Sequence, residues 1–382
     1  MSGLEIDGPV WSLGLMSGTS LDGVDAALLS TDGIEITGFG PGAERPYKPE
    51  NIRAIKAVMA DPTSHRPPAT YDHNLQLKSA THEVLRSHAH AVTSLLCKTD
   101  IAPELIGFHG QTVAHAPDEG WTWQIGDGAA LAHTVNRPVV WDFRTADMAA
   151  GGEGAPLAPV YHWALARHID AKAPIAFLNL GGVGNVTWVD PSADQPERDG
   201  ALIAFDTGPA NALLNDWMLQ KTGQPLDFDG AAAAAGTPDM GIIRSGNALQ
   251  TYLKRKAPKS LDRNDFTSFL DAVSDLSVED GAATLTALSA VCVAAALPHL
   301  PSAPTRWLIC GGGRKNPVMM SMLAEQLGVP VDPVEAVGLS GDLLEAQAFA
   351  YLAVRSARNL PLSFPGTTGC DAPTTGGRLS PP

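Results

Sequence analysis

Apolar residues first gather in Val10-Trp11-Ser12-Leu13-Gly14-Leu15-Met16, a run of strand length. The run breaks at Ser17-Gly18-Thr19-Ser20-Leu21-Asp22-Gly23, a turn of small and polar residues, and resumes in Val24-Asp25-Ala26-Ala27-Leu28-Leu29. Asp32-Gly33 marks a hairpin turn, and Ile34-Glu35-Ile36-Thr37-Gly38-Phe39 alternates as a third strand. The period then becomes helical over Pro49 to Ala60 and over 71–99. In the second stretch Leu75, Ala80, Val84, Leu85, Val92 and Leu95 form a broad apolar stripe.

The same order of elements returns about 165 residues later. Residues 173–180 read as a strand and Gly181-Gly182-Val183-Gly184-Asn185 as a glycine-rich turn. Residues 186–189 and 201–205 read as strands, and a helix begins near Pro209 with Leu213, Leu214, Trp217 and Met218 on one face. The pattern predicts an α/β protein of two related lobes, 1–172 and 173–382, the second carrying the final helix and the tail. Residues 191–200 read as a polar surface loop, and the Pro-rich residues 361–382 as an irregular tail.

Charge and composition narrow the function. Lys and Arg number 26 against 41 Asp and Glu, a formal net charge of −15. That balance argues against a nucleic-acid partner, which needs a basic face. It leaves nucleotide binding open, because backbone N–H groups hold phosphates without basic side chains. The 38 glycines and 30 prolines predict many tight turns. Cys97, Cys292, Cys310 and Cys370 form no C-x-x-C pair, which argues against a disulfide scaffold or a structural zinc and for a reducing compartment. The first seven residues lack a basic leader region, and the longest small apolar stretch, 290–297, falls short of the roughly 18 residues of a membrane helix. A cytoplasmic protein with no membrane partner is expected.

The candidate chemistry sits at strand ends. In the first turn Gly18 and Gly23 permit close backbone approach, and Ser17, Thr19 and Ser20 add hydroxyls. Asp22 is a candidate Mg²⁺ ligand, directly or through water. No G-K-[ST] follows, so this is not a Walker A loop, and an ordinary Gly-Ser hairpin remains open. Gly181-Gly182 occupies the matching place in the second half, and Gly311-Gly312-Gly313 follows the strand-like Trp307-Leu308-Ile309-Cys310. Together they suggest a nucleotide held by backbone contacts, with a helix start at Asn316-Pro317 offering N–H groups to it. A flexible connector is the alternative for the triple glycine. Asp206 follows the strand 201–205 and is either a general base or a helix cap. Asp142, Arg144 and Asp147 are charges in an apolar neighbourhood, functional or internally paired. His109 ends the strand Leu105-Ile106, where a hydrogen-bonded structural role competes with substrate contact. Asp342 and Glu345 fit a capping box, or Glu345 projects into the active cleft.

Read in order, the blocks Gly14 to Asp25, Gly107 to Thr112, Gln124-Ile125-Gly126, Asp142-Phe143-Arg144 with Asp147 and Gly151 to Leu157, Leu178 to Gly182 with Asn185, Phe205 to Pro209 with Asn211, Asp229-Gly230, Gly311 to Gly313 with Asn316-Pro317, and Gly338 to Ala350 resemble the anhydro-N-acetylmuramic acid kinases. Asp127-Gly128 stands where that family usually has Asn-Pro, Leu343 replaces a usual Trp, and Glu153 a usual Gln.

The resemblance implies a two-lobed actin-like ATPase fold, a duplicated ribonuclease H-like core with a central ATP and substrate cleft. It implies ATP and Mg²⁺ as cofactors and an anhydrosugar as substrate. Water opens the 1,6-anhydro bridge while O6 takes the γ-phosphoryl group. Asp206 and Glu345 become the catalytic candidates, and His109, Gln111, Asp142, Arg144, Asp147 and Gly208 the substrate-binding ones. Ser17, Gly18, Thr19, Ser20, Asp22, Gly23, Gly181, Gly182, Asn185, Gly311, Gly312 and Gly313 become the ATP and phosphate contacts. Arg144 is then the partner of the lactyl carboxylate. A homodimer is implied by the resemblance alone. The competing readings are a levoglucosan-type kinase, a plain hydroxyl kinase and a non-catalytic actin-fold regulator.

Overall fold

The computed structural model describes residues 6–62 and 74–382, apart from 247, 248, 250, 253 and 262. The chain forms two compact units, Met1–His168 with Leu343–Pro382, and Ile169–Asp342. The strands, in chain order, are β1 (Val10–Met16), β2 (Gly23–Thr31), β3 (Ile36–Pro46), β4 (Leu105–Phe108), β5 (Gln111–Ala116), β6 (Trp121–Ile125), β7 (Val139–Trp141), β8 (Ile175–Leu180), β9 (Val183–Val189), β10 (Leu202–Pro209), β11 (Trp307–Cys310), β12 (Val331–Pro333) and β13 (Arg378–Ser380).

The first unit holds a sheet ordered β13-β7-β4-β1-β2-β3, the second a sheet ordered β10-β9-β8-β11-β12. In each, the first three strands in sequence form an antiparallel meander and the next two lie parallel to the first. The two sheets share one order, as the repeat of elements predicts, and that order is the duplicated ribonuclease H-like core that the family resemblance implies. Asp32-Gly33 makes the expected turn: Asp32 Oδ1 accepts from Ile34 N and Glu35 N at 2.8 and 2.7 Å, and Gly33 has φ of +82°. The first helix runs over Pro49–Ala60 and the second over Leu75–Leu96; of the expected 71–99 span, 71–73 lie outside the described residues.

The final helix, Leu344–Ala357, departs from the expected division, because it packs on β1, β2 and β4 of the first unit. The reason is steric. A Cβ at Gly14 of β1 would lie 1.8 Å from the Ala346 carbonyl oxygen, and one at Gly107 of β4 would lie 2.1 Å from that of Phe349. Two glycines thus let the helix backbone touch the sheet. The tail departs as well: it forms a short helix, Pro365–Thr368, and supplies β13, which pairs antiparallel with β7. Among the described residues one stretch, Val278–His299, is long and apolar enough to cross a membrane by length and composition alone. It is mostly buried, and its helix, Val278–Ala294, packs on β10 and neighbouring helices of the second unit.

Candidate active site

In the second unit β8, β9 and β10 each carry one half-buried polar position. Asn179 on β8, Asn185 on β9 and Asp206 on β10 are half-buried in strands that are otherwise mostly buried. Asn179 is the register partner of Asn185, and Asn185 that of Asp206. Directly opposed residues share a face, so the three make one polar row across the sheet. Asp206 lies inside β10, not past its end as the sequence suggests. The helix after it, Asn211–Thr222, starts from Ala210 with no side-chain cap. Asp206 is therefore not a helix cap. Its Oδ2 accepts from the backbone N–H of Leu261 at 2.8 Å. Thr207 does not cap either, since its hydroxyl donates to the Gly184 carbonyl at 3.1 Å.

The candidate glycines fall into two groups. A Cβ at Gly18, Gly181, Gly182 or Gly312 would meet no protein atom closer than 3.5 Å, so the fold does not demand glycine there. Gly23, Gly208, Gly311 and Gly313 are demanded by packing, each with a neighbour within 2.6 Å of a built Cβ. At Gly208 that neighbour is Cys292, which accounts for this glycine without any substrate. The helix Pro317–Leu327 does not offer open N–H groups as expected, because Asn316 caps it, accepting from Val318 N and Met319 N at 3.0 and 3.1 Å. Arg314, buried at 5 % side-chain exposure, ties the triple glycine down. It donates to the Gly311 carbonyl at 3.0 Å and pairs with Glu335 and Asp342 at 2.8 and 2.9 Å. Asp342 is thereby committed to Arg314 and Lys315, Leu343 is the N-cap of the last helix, and no capping box forms with Glu345.

In the first unit the turn after β1 exposes Thr19, Ser20 and Asp22 but buries Ser17. Ser17 Oγ lies 2.9 Å from Tyr47 Oη and 2.5 Å from Gln111 Oε1. An amide oxygen only accepts, so the Ser17 hydrogen goes to Gln111 and the Tyr47 hydroxyl donates to Ser17. Gln111 Nε2 donates to the carbonyls of Gly18 and Thr112 at 3.1 and 3.3 Å. Ser17 and Gln111 thus brace the turn from behind, where the sequence suggests ligand contacts. Burial of the Tyr47 phenol pushes its pKa up to about 12, so it remains a donor. The described residues contain no cluster of three or more metal-ligating side chains, and Asp22 stands as a single exposed carboxylate on this turn.

Arg144 is the centre of the other group. Its Nη1 donates to the Gly154 carbonyl at 2.7 Å, and its Nε and Nη2 lie 3.3 and 2.9 Å from His109 Nε2. His109 Nδ1 is 3.0 Å from the Gly110 carbonyl, which assigns the proton to Nδ1 and leaves Nε2 as the acceptor. Burial, then the neighbouring Arg144 charge, hold the His109 pKa well below its usual value. Burial lowers the Arg144 pKa to about 10 against the opposing pull of Glu345 and Asp147, so it stays cationic at neutral pH. Three of its five N–H groups have partners among the described residues, which leaves one hydrogen on each Nη.

Asp147 is not free for substrate as expected, and Asp142 has partners of its own. Asp147 is buried and accepts from Gly154 N, the Ser363 hydroxyl and the Thr368 hydroxyl. It fixes the loop whose Gly154 carbonyl holds Arg144. Asp142 accepts from Thr145 Oγ1 at 2.5 Å and faces Arg378 of the tail at 3.9 Å. Glu345, exposed in the first turn of the last helix, belongs to this unit and acts electrostatically on Arg144. Asn179, Tyr47, Gly154 and Leu261 are absent from the candidate site residues, although Asn179 and Gly154 fall within blocks that carry the family resemblance. Asn179 alone carries a signal, a polar residue near the end of an otherwise apolar strand.

A family model of anhydro-N-acetylmuramic acid kinase matches residues 10–382. The chain belongs to the anhydro-N-acetylmuramic acid kinase family. A protein of that name from Roseobacter denitrificans is 52 % identical over 98 % of this chain and 95 % of its own length. One from Rhodospirillum rubrum is 48 % identical over 99 % and 96 %. Among solved structures, a glucokinase of the ROK family from Streptomyces griseus, in complex with glucose and AMPPNP, aligns over 90 % of this chain and 99 % of its own with a TM-score of 0.40 and 13 % identity. Two departures from the usual anhydro-N-acetylmuramic acid kinase pattern have local explanations. Asp127 caps the helix Gly128–Val135 by accepting from Ala129 N and Ala130 N, both at 3.0 Å, and Gly128 sits against the Trp141 ring, where a Cβ would come within 2.1 Å. Leu343 covers Gly42 of β3, where a Cβ would come within 2.3 Å of it.

Proposed function

We propose that this chain transfers the γ-phosphoryl group of ATP to O6 of 1,6-anhydro-N-acetylmuramic acid while water opens the anhydro bridge, giving N-acetylmuramic acid 6-phosphate and ADP. Family membership supports the substrate and the kinase chemistry. The observation that carries the mechanism is Asp206: a half-buried carboxylate inside a strand, restrained by a backbone N–H and not used as a cap. Such a group is suited to general-base work. Asp206 takes a proton from water, and the water oxygen bonds to the anomeric carbon. The bond from that carbon to O6 breaks, and O6 bonds to the γ-phosphorus as the bond from that phosphorus to ADP breaks. Attack on an oxocarbenium-like carbon by base-activated water follows the logic of an inverting glycosidase.

Arg144 binds the lactyl carboxylate through its two remaining Nη hydrogens, and neutral His109 and the Gly154 carbonyl set its orientation. Within the first unit the turn at Gly18, and within the second the turns at Gly181, Gly182 and Gly312, are the candidate nucleotide contacts, since packing within the protein does not require glycine at any of them. Asp22 is the candidate ligand for Mg²⁺, a cation that keeps water and phosphate oxygens as most of its shell and, when bound, neutralises phosphate charge. The setting that follows is recycling of cell-wall sugar in the cytoplasm, by a homodimer as the family resemblance implies.

Turnover of the anhydrosugar with ATP in ¹⁸O-labelled water tests this reading. Label on the anomeric oxygen of the product is expected. Phosphorylated product without label would leave a plain hydroxyl kinase and remove Asp206 from water activation.

A further inference from the structure

β10 is an edge strand of its sheet, so the outward backbone groups of Asp206 have no neighbouring strand to pair with. A single segment supplies the partners. The Asp206 N–H donates to the Lys259 carbonyl at 2.9 Å, and the Asp206 carbonyl accepts from the Tyr252 hydroxyl at 2.5 Å. The third tie goes to the carboxylate itself, from the Leu261 N–H at 2.8 Å. The segment is also tied to itself. The buried Lys259 ammonium donates to the Tyr252 carbonyl at 3.3 Å and sits 4.5 Å from the centre of the Tyr252 ring.

Covering an edge strand needs only backbone bonds. A tie to the side chain does more, because it selects one carboxylate rotamer and favours the charged form. Resting on the reading of Asp206 as the base, we propose that Tyr252 is a positioning residue for it. Its hydroxyl and ring anchor the strap that carries Leu261, and the Leu261 N–H holds the Asp206 carboxylate in the orientation water activation requires.

The test is Tyr252→Phe, which removes one oxygen and keeps the ring. The expected result is a fall in kcat of about 3- to 10-fold, the scale of one hydrogen bond expressed in the transition state. KM for ATP and for the anhydrosugar should change less than about 2-fold. With the Leu261 tie loosened, the carboxylate loses a donor to its charged form, so the acid limb of the kcat profile should move to higher pH. In an Asp206→Asn background the same substitution should have no further effect, because the group being positioned is gone. Lys259→Met, which removes the ammonium from the other end of the tie, should act in the same direction and provides the reading if Tyr252→Phe does not fold.

Parental kcat and an unmoved acid limb in both variants would overturn the proposal, and so would an undiminished effect in the Asp206→Asn background. A fully active Asp206→Asn protein removes the base reading and the strap's target with it. A crippled Asp206→Asn beside a parental Tyr252→Phe removes the strap alone.

Discussion

At the scale of single residues, Arg144 is the one proposed to take the substrate carboxylate. A guanidinium in a mostly buried setting loses hydration, and three of its N–H groups are repaid by His109 and the Gly154 carbonyl. The neutral tautomer of His109 is essential to this, since a protonated ring would have no lone pair for Arg144. Lysine keeps the charge but not the planar fork. Arg144→Lys is therefore expected to raise KM for the anhydrosugar by about 10-fold or more, the worth of a charge-assisted bond, with KM for ATP nearly unchanged. Steady-state kinetics with each substrate varied in turn checks it. An equal rise in both KM values, or none in the sugar's, would make Arg144 a structural residue. The sequence reveals Arg144 as a charge in an apolar stretch, but not that Asp147 beside it is saturated by Ser363 and Thr368, more than 200 residues away. A buried acid whose donors lie far along the chain and an acid awaiting substrate look alike in sequence.

At the level of elements, strands and turns follow from periodicity, while the roles of turn residues follow from which face is covered. Apolar runs locate β1, β8 and β11 to within two residues, because each is mostly buried. β3 extends to Pro46, beyond its alternating part, through pairing with β2 that no local pattern announces. The first turn is legible as a turn, but Ser17 faces inward to Gln111 and Tyr47 while Thr19, Ser20 and Asp22 face out. Gly18 has a discriminating property: within the protein a Cβ there meets only Ser20 Oγ, at 3.5 Å. Gly18→Val is thus expected to leave the melting temperature within a few degrees of the parent and to weaken ATP binding by about 10-fold or more, since the added bulk would stand where a phosphate approaches. Calorimetric titration with ATP, alongside a thermal melt, separates the cases. Unchanged affinity would leave the turn an ordinary hairpin, and a collapsed melting temperature would mean the glycine serves the fold.

For the whole molecule, the repeat of element order gives two sheets of one topology, yet the chain is not cut where the repeat is. The last helix returns to the first sheet because Gly14 and Gly107 admit its backbone, a fit visible only once both are in place. Burial also sets the acid response. His88, His109 and His162 are each no more than 5 % exposed, and burial lowers their pKa values, to about 4 for His88, to about 3 for His162 and well below the usual range for His109. The unfolded chain therefore binds more protons than the folded one between about pH 6.5 and pH 4. Stability is full above the unfolded value and falls as pH drops below it, by up to about 1.4 kcal/mol per pH unit for each histidine. Unfolding near pH 5 is expected to take up close to three protons from this set. Calorimetry in buffers of differing ionisation enthalpy measures that uptake, and none between pH 5 and 7 would contradict the buried neutral assignment. The central claim concerns Asp206, and it is tested most directly by kcat of Asp206→Asn in a protein shown to be folded. Asn keeps an oxygen for the Leu261 N–H, and no helix cap is lost. The account predicts a melting temperature near the parent's, both substrates still bound, and kcat lower by roughly 10²- to 10⁴-fold. A folded Asp206→Asn protein with near-parental kcat would contradict it.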